Sequence, residues 1–229
     1  MSGRKVLVVV LLLLGVSWVN FAIPTPKDVG ALEWLLKLLS PCFRVTEVDE
    51  YKECVLPPGC YCIYYTNDPK SPVPWNLHSF HGFGWYPEFI GCGALYAVVR
   101  GAYFDCNLKP VGTDPASVLP PRPAWMVRIP AYFEKIGLWL NAPKGITDRD
   151  VKGNGLYYTC SRHNRDGMDH AFIYLVEYTR VGDCLCDCKG KHQPLPREGR
   201  MFLVFWEDGC RGGDYDWNDF AAALIPCEQ

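Results

Sequence analysis

Twelve cysteines, all downstream of an uncharged N-terminal stretch, constrain this chain more than any other feature. They are Cys42, Cys54, Cys60, Cys62, Cys92, Cys106, Cys160, Cys184, Cys186, Cys188, Cys210 and Cys227. The stretch before them, Val6 to Val19, follows Arg4 and Lys5 and runs fourteen residues without a charge. A bilayer needs about 20 apolar residues, so this length suits the apolar region of a signal peptide better. Residues 1–22 therefore read as a signal peptide, with an uncleaved N-terminal anchor as the alternative, because Asn20 to Ile23 extends the stretch. The expected localisation is secreted, extracellular or at a cell surface. Thiols in an oxidising compartment pair and stay paired, so all twelve are expected in disulfides whose connectivity the sequence does not give.

A formal charge of −2 with scattered basic residues excludes a nucleic-acid footprint and electrostatic membrane binding after signal cleavage. Residues 23–58 hold one short helix and a cysteine-containing segment. Leu32, Leu35, Leu36 and Leu39 fall at i, i+3, i+4 and i+7, a single apolar stripe widened by Trp34 and Leu38. Packing of that stripe on its own domain is expected; docking on a partner or a membrane surface is the alternative, thinly supported by Lys37 alone. From Gly59 onward the pattern becomes short aromatic and β-branched runs broken by Pro and Gly. Strands are expected at Cys60–Thr66, Ala94–Arg100, Ala124–Ile129, Lys135–Asn141, Leu156–Cys160, Ala171–Thr179, Met201–Trp206 and Phe220–Ile225. Proline-rich loops lie at Asn67–Pro74 and Asn107–Pro123. The fold class is all-β, a mainly antiparallel, jelly-roll-like β-sandwich over 59–227, disulfide-rich, with a short N-terminal helix.

One segment concentrates chemistry. Between Trp206 and Phe220 stand Glu207, Asp208, Asp214, Asp216, Asn218 and Asp219, six oxygen-bearing side chains within thirteen residues. Carboxylates this crowded repel unless a cation or solvent offsets them. Calcium takes six to eight oxygens, which alternating donors on a turn can supply. An acidic, solvated hairpin turn built on Gly212 and Gly213 is the competing reading. An EF-hand is rejected, because Asp219 replaces its sharp-turn Gly and Ile225 its bidentate Glu.

Strand, W-E-D, a loop, then G-G-D-x-D-[aromatic]-N-D and a final strand is similar to the end of domain-of-unknown-function family 4114, found in exported microbial surface proteins. Tyr158-x-x-Ser161 followed by Asn164-Arg165-Asp166-Gly167-Met168-Asp169-His170 resembles that family's Y-x-S…N-x-D-G-x-D-H segment. Ser79 to Tyr86 resembles its opening S-F-G-x-Y strand. The similarity spans Asn76 to Ile225 and is most specific over 158–225. It implies a β-sandwich with acidic loops gathered at one end around calcium. Asp166, Asp169, Glu207, Asp208, Asp214, Asp216, Asn218 and Asp219 then become candidate ligands, with Asp208 and Asn218 the first expected to be turn formers instead. Two features depart from the pattern: Cys210 within the acidic loop, and a cysteine-rich insert from Cys184 to His192. Both would staple loops and relieve the fold of depending on metal.

Cys184, Cys186, Cys188 and His192 also admit a zinc reading, with atypically tight spacing. Disulfides to distant partners are preferred, because C-x-C cysteines bond one another only under strain. His78 and His81 lack a third ligand nearby, and His170 is expected to hydrogen-bond across the acidic site. Catalytic signatures for serine hydrolases, zinc proteases, P-loops and dinucleotide binding are missing. The leading expectation is a non-enzymatic, calcium-binding module of surface structure or adhesion, facing a surface protein or a glycan or another copy of itself. A calcium-dependent carbohydrate-binding module is the first alternative and a carboxylate-dependent hydrolase the second.

Overall fold

A computed structural model describes residues 23–67, 82–88, 95–97, 103–104, 123–141, 156–188, 191–207 and 215–227. After the helix α1 (Ala31–Leu39) come β1 (Phe43–Glu50), β2 (Cys60–Asn67), β3 (Gly82–Pro87), β4 (Leu95–Ala97), β5 (Tyr103–Phe104), β6 (Ala124–Arg128) and β7 (Ile136–Asn141). They are followed by β8 (Leu156–Tyr158), β9 (Ala171–Arg180), β10 (Leu185–Cys188), β11 (Lys191–Pro194), β12 (Glu198–Trp206) and β13 (Phe220–Pro226). Eight strands form one sheet in the order β1-β9-β12-β13-β2-β6-β10-β11, and five form a second, β5-β4-β3-β7-β8. Every pairing is antiparallel except the short contact of β10 with β6. The all-β, mainly antiparallel expectation holds.

The central strands explain why. Met201 to Trp206 on β12 and Phe220 to Ile225 on β13 are buried without a break, so both faces of the sheet are covered. On one face Phe220 stacks on Tyr65 of β2 and meets the second sheet, where Phe83 packs 4.9 Å from it. On the other, Ala221 and Ala223 of β13 project only methyl groups, and α1 lies over this side with Leu36 beside Phe43 and Val45. Leu32, Leu35 and Leu39 are buried, so the helix docks on its own core as the leucine spacing predicts.

Edges account for strands that periodicity misses. β1 carries Arg44, Glu47, Asp49 and Glu50 among its residues and pairs only with β9, as a sheet border should. It lies within 23–58, the segment that the sequence pattern sets apart from the sandwich. β11 is exposed along its whole length, with Lys191 and Pro194 at its ends. β8 is shorter than expected because the chain turns into a 3₁₀ segment at Ser161–His163. The proline-rich loops fall almost wholly outside the described residues, as do His78 and His81.

Among the described residues three disulfides join Cys42 to Cys184, Cys54 to Cys160 and Cys62 to Cys186. Cys184 and Cys186 of the insert therefore reach the turn before β1 and strand β2, 142 and 124 residues away, which leaves no zinc set of Cys184 and Cys186 with His192. The expectation of universal pairing is not met at Cys60, which stands outside these three bonds. Cys92, Cys106 and Cys210 lie outside the described residues, and so does the side chain of Cys188.

Candidate functional site

Strand register gathers the acidic loops. Trp206, the last residue of β12, pairs with Ala171 at the start of β9 and with Phe220 at the start of β13. The residues just beyond, His170, Glu207 and Asp219, therefore share one end of the large sheet. The Glu207 N–H donates to the His170 carbonyl at 3.1 Å and locks two of these ends together.

The loop ahead of β9 is organised by Asn164, a buried residue that the motif contains but the ligand chemistry passes over. Its Oδ1 accepts from the Tyr158 N–H at 2.7 Å, while its Nδ2 donates to the carbonyls of Tyr158 and Met168 at 3.0 and 2.8 Å. Gly167 turns the chain at a φ of 71°, open to glycine at no steric cost. Asp166 then uses both oxygens: Oδ1 accepts from the Met168 N–H at 3.0 Å, and Oδ2 lies 2.9 Å from His170 Nε2. His170 is fully buried, with Nδ1 3.0 Å from the Glu207 carbonyl and its ring against Tyr157. Both ring nitrogens face oxygen atoms within hydrogen-bond distance, so the ring is held from both sides. Asp166 is thus a positioning residue, and His170 spans the site as its place in the motif suggests. Asp169 stands exposed at the loop's edge.

The loop ahead of β13 is wound tightly. Tyr215 and Trp217 hold φ values of 57° and 56°, a conformation that side chains other than glycine adopt only under over-determined packing. Trp217 supplies that packing: it is fully buried, edge-on to Phe172 at 4.7 Å, and its Nε1–H donates to the Pro24 carbonyl at 2.6 Å. Between the two, Asp216 accepts from Asn218, through Oδ1 from the backbone N–H at 3.2 Å and through Oδ2 from Nδ2 at 2.7 Å. This pair shapes the turn. Asp219 follows, half-buried at the mouth of β13.

Of the eight candidate ligands, Asp166, Asp169, Glu207, Asp216, Asn218 and Asp219 share this end of the sheet, while Asp208 and Asp214 lie outside the described residues. The carboxylates do not converge on one point. Among the described residues, no three of them bring their oxygens within 4.8 Å of one another. Glu207 differs from the rest at only 2 % exposed. An ionised carboxylate out of water is costly unless charge or hydrogen bonds offset it, and a cation is one group that supplies such an offset. An all-oxygen donor set, extendable by backbone carbonyls and water, fits calcium and not a soft metal.

Two further clusters lie elsewhere. Glu88 is ion-paired with Arg162 and lies 3.2 Å from His163 Nε2, close to Cys160. Burial first, then the Arg162 charge, holds His163 below the ordinary histidine range. The second cluster is sulfur: Cys62, Cys186 and Cys227 lie with their Sγ atoms within 4.8 Å of one another. The C-x-C spacing at 60–62 and 184–186 hints at it, but only the strand order shows that these segments meet.

No protein-family model matches the chain, and neither does any curated protein or solved structure.

Proposed function

We propose that this chain is an exported, non-enzymatic β-sandwich whose acidic sheet end binds calcium, serving surface structure or adhesion. The observation that carries the reading is the buried Glu207 carboxylate at the point where the loops before β9 and β13 converge. The similarity of both loops to family 4114 supports it. Glu207, Asp219 and Asp169 would supply the charged oxygens. Asp166 and the Asp216–Asn218 pair would hold the loops that present them. A bound calcium ion would offset the mutual repulsion of these carboxylates and fix the loops that face a partner. Export is supported by the uncharged stretch at Val6–Val19 and by three disulfides between distant segments. Among the described residues no helix is long and apolar enough to cross a membrane.

Calorimetric titration of calcium into the oxidised protein tests this directly. The wild type and Glu47→Gln, changed on the exposed face of β1, should both take up calcium. Glu207→Gln should lose that heat. Absence of binding at millimolar calcium, or an unchanged Glu207→Gln titration, would contradict the proposal.

A further inference from the structure

At the opposite end of the same sheet lies a cavity of about 790 Å³, a size that suits a small molecule. β2 runs from Cys60 to Asn67, and Asn67 is the residue opposite Phe220 at the acidic end, so the cavity and the acidic loops are a strand's length apart. Register builds the cavity floor. Cys60 pairs with Arg128 and Cys62 with Met126, and opposite residues of an antiparallel pair project to one face, so these four side chains share it. The wall is the segment that leads from β11 to β12. The Leu195 N–H donates to the Cys184 carbonyl at 3.2 Å, and the Arg197 carbonyl accepts from the Arg180 N–H at 2.7 Å, which ties this segment down at two points. Pro194 and Pro196 fix the backbone beside those ties, so the wall is formed before any ligand arrives.

The cavity combines an apolar depth with a cationic mouth. Ile129 and Leu195 line it yet are only 5 % and 2 % exposed, so they belong to its inner surface. Arg128 from the floor and Arg197 from the wall line it as well, and both are exposed. Among the described residues neither arginine forms an ion pair, and no acidic residue lines the cavity. Two uncompensated positive charges at one opening favour an anion, and a guanidinium grips a carboxylate through two parallel hydrogen bonds. The inner surface rewards a hydrocarbon body at the same time. No aromatic ring lines the cavity among the described residues, so that body has nothing to stack on and is aliphatic.

We propose that this cavity binds a small aliphatic carboxylate. The hydrocarbon body lies against Met126, Ile129 and Leu195, and Arg128 and Arg197 hold the carboxylate at the mouth. Binding is reversible and involves no covalent step. Cys60, which stands outside the three disulfides, is half-buried in the same floor, so its thiol reports on whether the cavity is occupied. The site is independent of the calcium reading, since it shares no residue with the acidic end.

The test uses the full-length oxidised protein, with sodium octanoate as the probe. Calorimetry should show one site per chain that fills below millimolar octanoate. Hexanoate should bind about tenfold more weakly, because each buried methylene strengthens binding about fourfold. Arg128→Gln with Arg197→Gln should weaken octanoate roughly tenfold or more, as expected for lost charge-assisted bonds, while uncharged 1-octanol should bind both proteins equally. Arg128→Lys with Arg197→Lys keeps the charge and should recover part of the loss, which separates lost recognition from a damaged fold. Alkylation of Cys60 by iodoacetamide, mapped by mass spectrometry, locates the site. Octanoate at about ten times its Kd should slow that reaction roughly tenfold, since only the unoccupied fraction reacts. The proposal is overturned by absent binding at millimolar octanoate, by equal affinity for hexanoate, by an unchanged Gln double variant, or by equal binding of octyltrimethylammonium. Octanoate that binds without protecting Cys60 would place the site elsewhere, and a Cys60 already unreactive without ligand would show the cavity filled by the protein itself; either result overturns it equally.

Discussion

Removing the Cys62–Cys186 disulfide should cost less than its sequence separation suggests, and the shortfall can be worked from the bond pattern. The chain-entropy relation assigns about 4.9 kcal/mol at 25 °C to a lone cross-link spanning 124 residues. This cross-link is not alone. With Cys42–Cys184 in place, the shortest closed path runs from 42 to 62 and back from 186 to 184, which is 20 plus 2 residues. A loop that short is worth about 3.4 kcal/mol by the same relation. The partner bond Cys42–Cys184 closes the same short path, so its removal should cost a similar amount in spite of its longer separation of 142. For a chain of this size, each kcal/mol shifts the melting temperature by about 2–4 °C, giving a drop of about 7–14 °C. The assay is urea and thermal unfolding of Cys62→Ala/Cys186→Ala against wild type under oxidising conditions. A loss near 5 kcal/mol, or one below about 1 kcal/mol, would refute the view that the two bonds reinforce a shared loop.

Other expectations follow from packing and titration. Tyr86 lies across Gly137 in the β3–β7 pair, in the space a Cβ would take, so Gly137→Ala should destabilise by about 1–3 kcal/mol in denaturant unfolding. Trp217→Phe removes the indole N–H that reaches Pro24, and should cost about 1 kcal/mol or more while loosening the Tyr215–Asp219 turn, seen as faster amide exchange there. His163 sits below its ordinary value of 6.5, so the unfolded chain takes up the proton first. Its contribution therefore lowers stability as pH falls below 6.5 and vanishes above that value; His163→Gln should flatten the slope in unfolding measured from pH 5 to 7.

Sequence period carried the interior and failed at the borders. The uninterrupted apolar runs at Met201–Trp206 and Phe220–Ile225 are the two strands buried on both faces, and the leucine spacing of α1 marks the face that docks. β1 escaped notice because an edge strand is kept polar: Arg44, Glu47, Asp49 and Glu50 mask the alternation. The acidic loops were legible as chemistry but not as geometry. Composition gives Asp216 and Asn218 as ligand types, yet their side chains bond one another, and Asp166 serves His170 and the Met168 amide. Asn164 and Trp217, which hold those loops, are ordinary in sequence and important only through tertiary contacts. The sulfur cluster depends on a disulfide that reaches past β6 from β10 to β2, which no local pattern encodes.

The central claim rests on the acidic end of the sheet, and the melting temperature of the oxidised protein in calcium against chelator probes it most directly. A ligand at a hundredfold excess over Kd stabilises the native state by about 2.7 kcal/mol, which corresponds to about 5–11 °C here. The expected result is a rise of that order with calcium and a smaller one with magnesium, whose tighter octahedral cage these spread carboxylates do not supply. Asp219→Asn and Glu207→Gln should each remove most of the rise, and Glu47→Gln should leave it intact. Identical melting in calcium and in chelator would contradict the claim and leave the acidic loops as solvated turns.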